Sequence, residues 1–548
     1  MKRRIPALLT AFAVVMTQAA SVFSLGVDDI NTESGIKNVI VMVSDGMSDS
    51  AVALSRWYKA YNPETNKADQ SVALALDELV SGKVRTYWED ADGNPGAITD
   101  SAPAASAMAT GHKTHDKHIS VTPDKENRPL ATTLEAAKSL GKSTGIVATS
   151  NIQHATPAGF SSHYPDRSKY AIIGEQQVYQ DMDVVLGGGS MYLTPPYRED
   201  GEDLIKELRA MNYNYVTTKD EMNAVTDGKL WGMFAEDAMA YDFDRRMKTN
   251  STQPSLAEMT KKSIELLSQN DNGFFLMVEG SKVDWANHAN DPIGCISDVL
   301  AFDNAVRVAL SYAKARQDTM LIILTDHGTG GITIGNTSTD SSYSSDPVTK
   351  FIAPLSKATL TPEGVAALFN KERTNIKEVV GQYLGVTDLT DEEIEAIKEA
   401  DLSSMNYAIG PIISKRAGIG WTTGGHTGED ITLYTYLPQN ERIVGLINNT
   451  DVAKATANAW GTDLDALTAQ IFVNAAKAFQ AKGARTEVSE EVNSNNPVLI
   501  ARKGNTVIEM PVSKNYVLVN GRKVKTNSVT VQTGADFYVS LEVVELMG

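Results

Sequence analysis

Uninterrupted apolar runs that stop at an acid or a glycine set the rhythm of this chain. Asn38 to Ser44 reads as a buried strand ending in Asp45-Gly46-Met47. Ser143 to Thr149, Asp183 to Leu186, Gly273 to Val278 and Thr319 to Leu324 repeat the pattern, and the last two stop at Glu279 and at Asp326-His327. Helical patterns fall between them: Ser71 to Val80, Leu130 to Leu140, Ile296 to Lys314, Asp463 to Phe479 and, most clearly, Ser255 to Gln269. In this last helix Ser255 and Glu258 form a capping box and Leu256, Met259, Leu266 and Leu267 share a face. Strands apolar on both faces, alternating with helices, predict an α/β fold with a doubly wound, mostly parallel central sheet and helices on both faces. Such sheets collect their chemistry at the C-terminal ends of the strands.

Two stretches break the rhythm. The interval from about 338 to 424 is rich in Ser, Thr, Asp and Glu, with short helical runs at Pro362 to Asn370 and Asp391 to Glu399, and reads as an inserted, crown-like subdomain. After the polar segment Glu487 to Asn496, read as a linker, residues 497–548 carry short β-type runs with a turn at Asn520-Gly521. The main domain then spans about 28–484. At the N-terminus, Lys2, Arg3 and Arg4 precede an apolar run from Ile5 to Met16 and small residues near Ala19, the layout of a secretory signal peptide within residues 1–26. The mature protein is therefore expected to be exported, periplasmic or extracellular, without a transmembrane segment.

Composition narrows the function. The 548 residues carry a formal charge of −18, and losing the leader makes it about −21, which argues against binding a nucleic-acid backbone. An anionic substrate needs local positive charge from metal ions or an arginine. One cysteine, Cys295, rules out an intramolecular disulfide.

Candidate chemistry gathers at the strand ends. Asp45, Glu279, Asp284, His288, Asp326, His327 and His426 form a mixed carboxylate and imidazole set without thiolate, suited to zinc or similar ions in sites that keep an open position. Ser101 opens an alanine-rich helix behind Asp100, where free N–H groups and the dipole favour an anion or a developing alkoxide. An ordinary capping serine would look the same, so the weight comes from the other stretches. Two ions about 4 Å apart could activate a serine and stabilise a leaving alkoxide, with Arg167 forking onto phosphate oxygens. The loop from Asn151 to Arg167 also carries His154 and Thr156. Asp90 to Asn94 reads as a turn rather than a calcium loop, Gly187 to Gly189 as a turn rather than a phosphate loop, and His112, His115 and His118 as solvated loop histidines.

These stretches resemble the alkaline phosphatases: VMVSDGM at Val41, TDSAPAASAMATG at Thr99, HATPAG at His154, VEGSKVDWANH at Val278, TDHG at Thr325 and GGHTGED at Gly424, in family order. The resemblance implies that Ser101 is the nucleophile of a phosphoserine intermediate and that Arg167 binds phosphate, positioned by Asp100. It implies one zinc held by Asp284, His288 and His426, a second by Asp326, His327 and Asp45, and a magnesium by Asp45, Thr156 and Glu279. Small phosphomonoesters would be the substrates, and a homodimer is compatible. His154 and Trp285 stand where the most-studied bacterial members have an aspartate and a lysine, as in the marine-bacterial branch, which leaves the third metal open. Both residues would lie near the bound phosphate.

Ser101-Ala-Pro103 lacks the arginine of a sulfatase motif, since residue 105 is Ala105. A phosphodiesterase or another metal-dependent member of the superfamily is the alternative enzyme, and an exported metal- or phosphate-binding protein the alternative of another class. Residues 497–548 resemble small modules of exported bacterial proteins, including the copper-amine-oxidase N-terminal type. No candidate ligand lies beyond Asp430, so this module is expected to be dispensable for catalysis.

Overall fold

A computed structural model describes residues 24–248, 251–489 and 495–548. Residues 1–23, most of the expected leader, lie outside the described residues; Ser24 and Leu25, inside the segment read as leader, pair in parallel with Arg442 and Ile443.

Ten strands form the central sheet: β1 (Asn38–Ser44), β2 (Val80–Arg85), β3 (Ser143–Asn151), β4 (Val184–Gly188), β5 (Asn214–Val216), β6 (Leu230–Met233), β7 (Phe274–Gly280), β8 (Thr319–Leu324), β9 (Ile431–Tyr436) and β10 (Gly445–Asn448). Their order is β5-β6-β4-β3-β7-β1-β8-β9-β2-β10, and β9 alone runs against its neighbours. The alternation within a strand explains why the middle of its sequence is a continuous apolar run. Ile40, Met42, Leu276, Val278, Leu321 and Ile323 pack into one core, while Val39, Val41, Val43, Phe275, Met277, Ile322 and Leu324 pack into another on the opposite face.

Seven helices matter for the site: α1 (Ser101–Thr110), α2 (Ala155–Ser161), α3 (Tyr170–Tyr179), α4 (Lys282–His288), α5 (Pro292–Arg316), α6 (Pro362–Ala366) and α7 (Met405–Ala417). Leu256–Leu267 is a helix with the expected Ser255/Glu258 capping box.

Several local expectations change. Ser71 to Val80 is no α-helix: Asp69 and Asp77 bind the amides of Ser71 and Leu74, leaving only a 3-10 turn at Leu76–Glu78 before β2. Part of the polar stretch read as a loop becomes α2, which is wholly buried. Gly187 and Gly188 belong to β4, and only Gly189 takes a left-handed conformation, at φ +98°. Asp463 to Phe479 breaks into Leu464–Ile471 and Ala475–Ala481, because Val473–Asn474 forms a strand against Asp536–Val539.

That strand ties the C-terminal module to the main body. Its antiparallel five-stranded sheet begins at Arg485–Ser489, which runs into the first residues of the segment read as a linker, and continues to Arg522–Lys525. Val529, Val531 and Tyr538 enter the core beneath the central sheet, while Phe479 joins the module's own core. Buried Lys514 is paired with Glu175 on α3 and, at 2.5 Å, with Glu202. Removing residues after Ser489 would strip these contacts and strand Glu175 without its ammonium. Such a truncation is expected to lower the melting midpoint by at least about 5 °C, since both core exposure and a broken buried ion pair are large effects. A truncated chain melting within a degree of the parent would overturn this.

The insertion is closed at its neck by two antiparallel pairs, Thr333–Ile334 with Ile419–Gly420 and Gly328–Thr329 with His426–Thr427. Its helices share the core of one sheet face through Phe351, Ile352, Val365, Val380 and Ile409. No described helix is long and apolar enough to cross a membrane.

Candidate active site

The ends of β1, β7 and β8 lie side by side, so Asp45, Glu279 and Asp326 meet although about 280 residues separate the first and last. Asp45 is fully buried, and the chain must turn at once to clear α4. Gly46 does so at φ +70°, where a Cβ would stand 2.7 Å from the Cα of Asp284. Gly46 donates its N–H to Asp326 and Asn287 donates to the Gly46 carbonyl, locking the crossing.

Ser101 occupies the first turn of α1, with Asp100 as N-cap accepting from the Ala102 amide. The serine is 2% exposed, and its hydroxyl lies 3.2 Å from His327 Nε2 and 3.5 Å from Asp45 Oδ2. Small residues let α1 and α2 approach closely: a Cβ on Gly159 would stand 2.7 Å from that of Ala105. This packing brings His154, the N-cap of α2, toward Arg167. The guanidinium donates from Nη1 to both oxygens of Asp100 at 2.6 and 2.7 Å and from Nη2 to His154 Nε2 at 3.0 Å. Arginine holds donors only, so Nε2 accepts and the ring proton sits on Nδ1, which is buried without a partner. Trp285 packs edge-on against His154, with ring centroids 5.8 Å apart.

Three sets of donors converge around the serine: Asp284, His288 and His426; Asp45, Asp326 and His327; and Asp45, His154 and Glu279. The first set is oriented by backbone carbonyls. His288 Nδ1 faces the Gly424 carbonyl at 2.7 Å and His426 Nδ1 that of Thr99 at 2.8 Å, so each ring points its Nε2 inward, where the neutral form would offer a lone pair to a cation. Those two Nε2 atoms stand 3.1 Å apart, close to Asp284. Two imidazole nitrogens converging on one carboxylate form a donor set that suits a cation. Buried oxygens of Asp45, Glu279, Asp326 and Thr156 also lack hydrogen-bond partners. Thr156, in the first turn of α2, lies close enough to Glu279 to stabilise its charged form while its hydroxyl makes no full hydrogen bond.

The electrostatics agree. Burial, then repulsion from Asp326, Asp284 and Glu279, pushes Asp45 well above the carboxylate range, and burial raises Glu279 to about 8. Burial would also raise Asp284, but the hydrogen bond and charge of His288 outweigh it and hold this acid far below its usual value. His288 rises to about 9 because Asp284 overcomes its burial, whereas burial and Arg167 drop His154 to about 3. Asp100, paired with Arg167, stays low despite burial.

All thirteen residues singled out from sequence thus fall in one region. The reading missed Thr329, which donates to Asp284 Oδ1 at 2.5 Å, and Asn287. Their position inside or beside the ligand motifs was the available signal. His112, His115 and His118 belong to none of the three donor sets; His112 pairs with Asp465 at 2.7 Å. Asp90 caps its own turn by accepting from the amides of Asp92 and Asn94.

Comparison with known proteins places the chain among relatives of one family. Residues 36–462 match the alkaline phosphatase family model. Alkaline phosphatase 4 of Bacillus subtilis is 39% identical over 429 residues, covering 76% of this chain and 87% of the relative. The cold-active alkaline phosphatase of a psychrophilic Shewanella superposes with a TM-score of 0.65 at 32% identity, covering 77% of this chain and 99% of the other. That of Thermus thermophilus gives 0.69 at 28% identity, covering 83% and 96%. With the family model spanning most of the sequence and the site residues converging on one serine, the chain belongs to the alkaline phosphatase family.

Proposed function

We propose that this protein is an exported phosphomonoesterase that works through a phosphoserine on Ser101. The observation that carries the reading is the Ser101 hydroxyl at the N-terminus of α1, within 3.5 Å of both His327 and Asp45 and beside an Arg167 anchored on Asp100. Arg167 neutralises the phosphoryl group and fixes its orientation while the α1 dipole favours its charge. The serine oxygen gives up its proton to solvent and attacks phosphorus, and the ester oxygen leaves with the bonding pair and takes a proton from solvent. Water then attacks the phosphoserine from the vacated side, returning phosphate and the free hydroxyl. Asp100 holds the guanidinium in place through both steps.

Asp284, His288 and His426 would hold one zinc, and Asp45, Asp326 and His327 a second, a donor chemistry that fits the inward imidazole nitrogens and unpartnered oxygens. Asp45, Thr156 and Glu279 would offer a third ion oxygens suited to magnesium, and His154 would add an imidazole nitrogen to that set on giving up the lone pair it lends Arg167. When bound, these ions supply the positive charge that favours a deprotonated serine and a departing alkoxide.

The purified, metal-loaded protein is expected to release a coloured phenol from an aryl phosphate monoester at alkaline pH at least about a hundredfold faster than from the matching diester, which lacks the second anionic oxygen for Arg167. In cells making the full chain, this activity should appear outside the cytoplasm, as the basic and apolar N-terminus directs. Faster diester cleavage would favour a phosphodiesterase of the same superfamily, and no turnover of either ester would favour a binding protein.

A further inference from the structure

Lys282 is 2% exposed, an unusual place for an ammonium, and it opens the helix that bears Asp284, Trp285 and His288. A buried charge persists only with compensation. Here Nζ donates to the Met239 carbonyl at 3.1 Å and to Glu363 at 3.0 Å, and it lies 3.9 Å from the ring centre of Tyr241 and 5.3 Å from that of Trp285. Glu363 belongs to α6 of the insertion, and this segment is itself fastened by Thr361, whose amide and hydroxyl both donate to Asp244. A continuous series of contacts therefore runs from the insertion to the serine: Glu363, Lys282, the Trp285 indole, His154, Arg167 and Asp100.

We propose that Lys282 is a positioning residue for phosphate, its ammonium, held by Glu363, fixing the Trp285 indole and through it His154 and Arg167. The proposal rests on the phosphomonoesterase reading only for the identity of the ligand. A leucine or methionine would fill the same volume, but neither could attract the faces of Tyr241 and Trp285 or tie α4 to the insertion. Trp285 brings no charge to the phosphate side, and the cation behind it gives its ring a fixed place from which to support the imidazole that Arg167 uses.

The test is the inorganic phosphate inhibition constant, with the phosphate dissociation constant by calorimetry, in metal-loaded parent, Lys282→Met, Glu363→Gln, Trp285→Phe and Lys282→Met/Trp285→Phe. Lys282→Met should weaken phosphate about fivefold and raise KM in step, with kcat reduced less than twofold, and Glu363→Gln should weaken phosphate about threefold, as expected of residues acting through a network. In the Trp285→Phe background, Lys282→Met should add less than twofold, because the indole it positions is gone. A folded Lys282→Met with phosphate binding within twofold of the parent, or effects that multiply in the double variant, would overturn the proposal. Should Lys282→Met fail to fold, an unchanged constant in half-exposed Glu363→Gln overturns it instead. If the parent binds phosphate yet hydrolyses no monoester, the enzymatic reading fails while the calorimetric comparison still decides the role of Lys282.

Discussion

Ser101→Ala is expected to reduce the turnover number by at least about four orders of magnitude, because the route through a covalent intermediate loses its attacking oxygen. What remains would be direct attack by water on an ester still held by Arg167 and the metal sites. The substitution is otherwise mild. Ser101 lies on the first turn of α1, Asp100 provides the cap, and alanine is the better helix former, so the melting midpoint should move by no more than a few degrees. A second readout isolates the chemistry: acid-quenched parent incubated with substrate should carry a phosphate on the peptide containing Ser101, and the variant should carry none. Turnover near that of the parent, or a phosphorylated peptide elsewhere in the chain, would remove Ser101 from the role of nucleophile.

Stripping the metals should abolish activity and also loosen the fold. Asp45, Glu279 and Asp326 are buried with unpartnered oxygens, and His288 and His426 face each other across 3.1 Å. Without cations these groups repel, and each buried unpaired polar atom carries a desolvation cost. Ions bound only by the folded protein stabilise it by about 4 kcal/mol per site when present at a thousand times their dissociation constant. Chelation should therefore lower the melting midpoint by about 5 °C or more, and zinc with magnesium should restore both midpoint and turnover. A chelated sample, free of metal by elemental analysis, that retained full activity would contradict the two-ion reading. One that lost activity with an unchanged midpoint would mean that the ions contribute to catalysis without supporting the fold.

How much was legible from the sequence depended on whether a residue's surroundings were local. Strands β1, β7 and β8 announced themselves because both faces are buried, so Val39–Val43, Phe274–Val278 and Met320–Leu324 are unbroken apolar runs just before Asp45, Glu279 and Asp326. The Ser255/Glu258 cap and the start of α1 at Ser101 were equally readable, since a helix N-terminus is satisfied by residues within one turn of it. Side chains that touch the chemistry directly thus came with short motifs around them. Only the tertiary structure decided how the motifs meet. His426 reaches His327 because the neck of the insertion pairs Thr329 with His426, a register that no single segment encodes. The polar stretch after Asn151 becomes α2 because Gly159 lets it lie against α1, and the segment read as a linker opens with a strand because Val498–Lys503 pairs with it. Lys282 was invisible for the same reason: a lysine in a helix reads as solvated until Tyr241 and Glu363 arrive from two other parts of the chain to enclose it beside Trp285. Local propensity and hydrophobic periodicity fix an element's type, whereas burial and partnership are decided by contacts hundreds of residues apart.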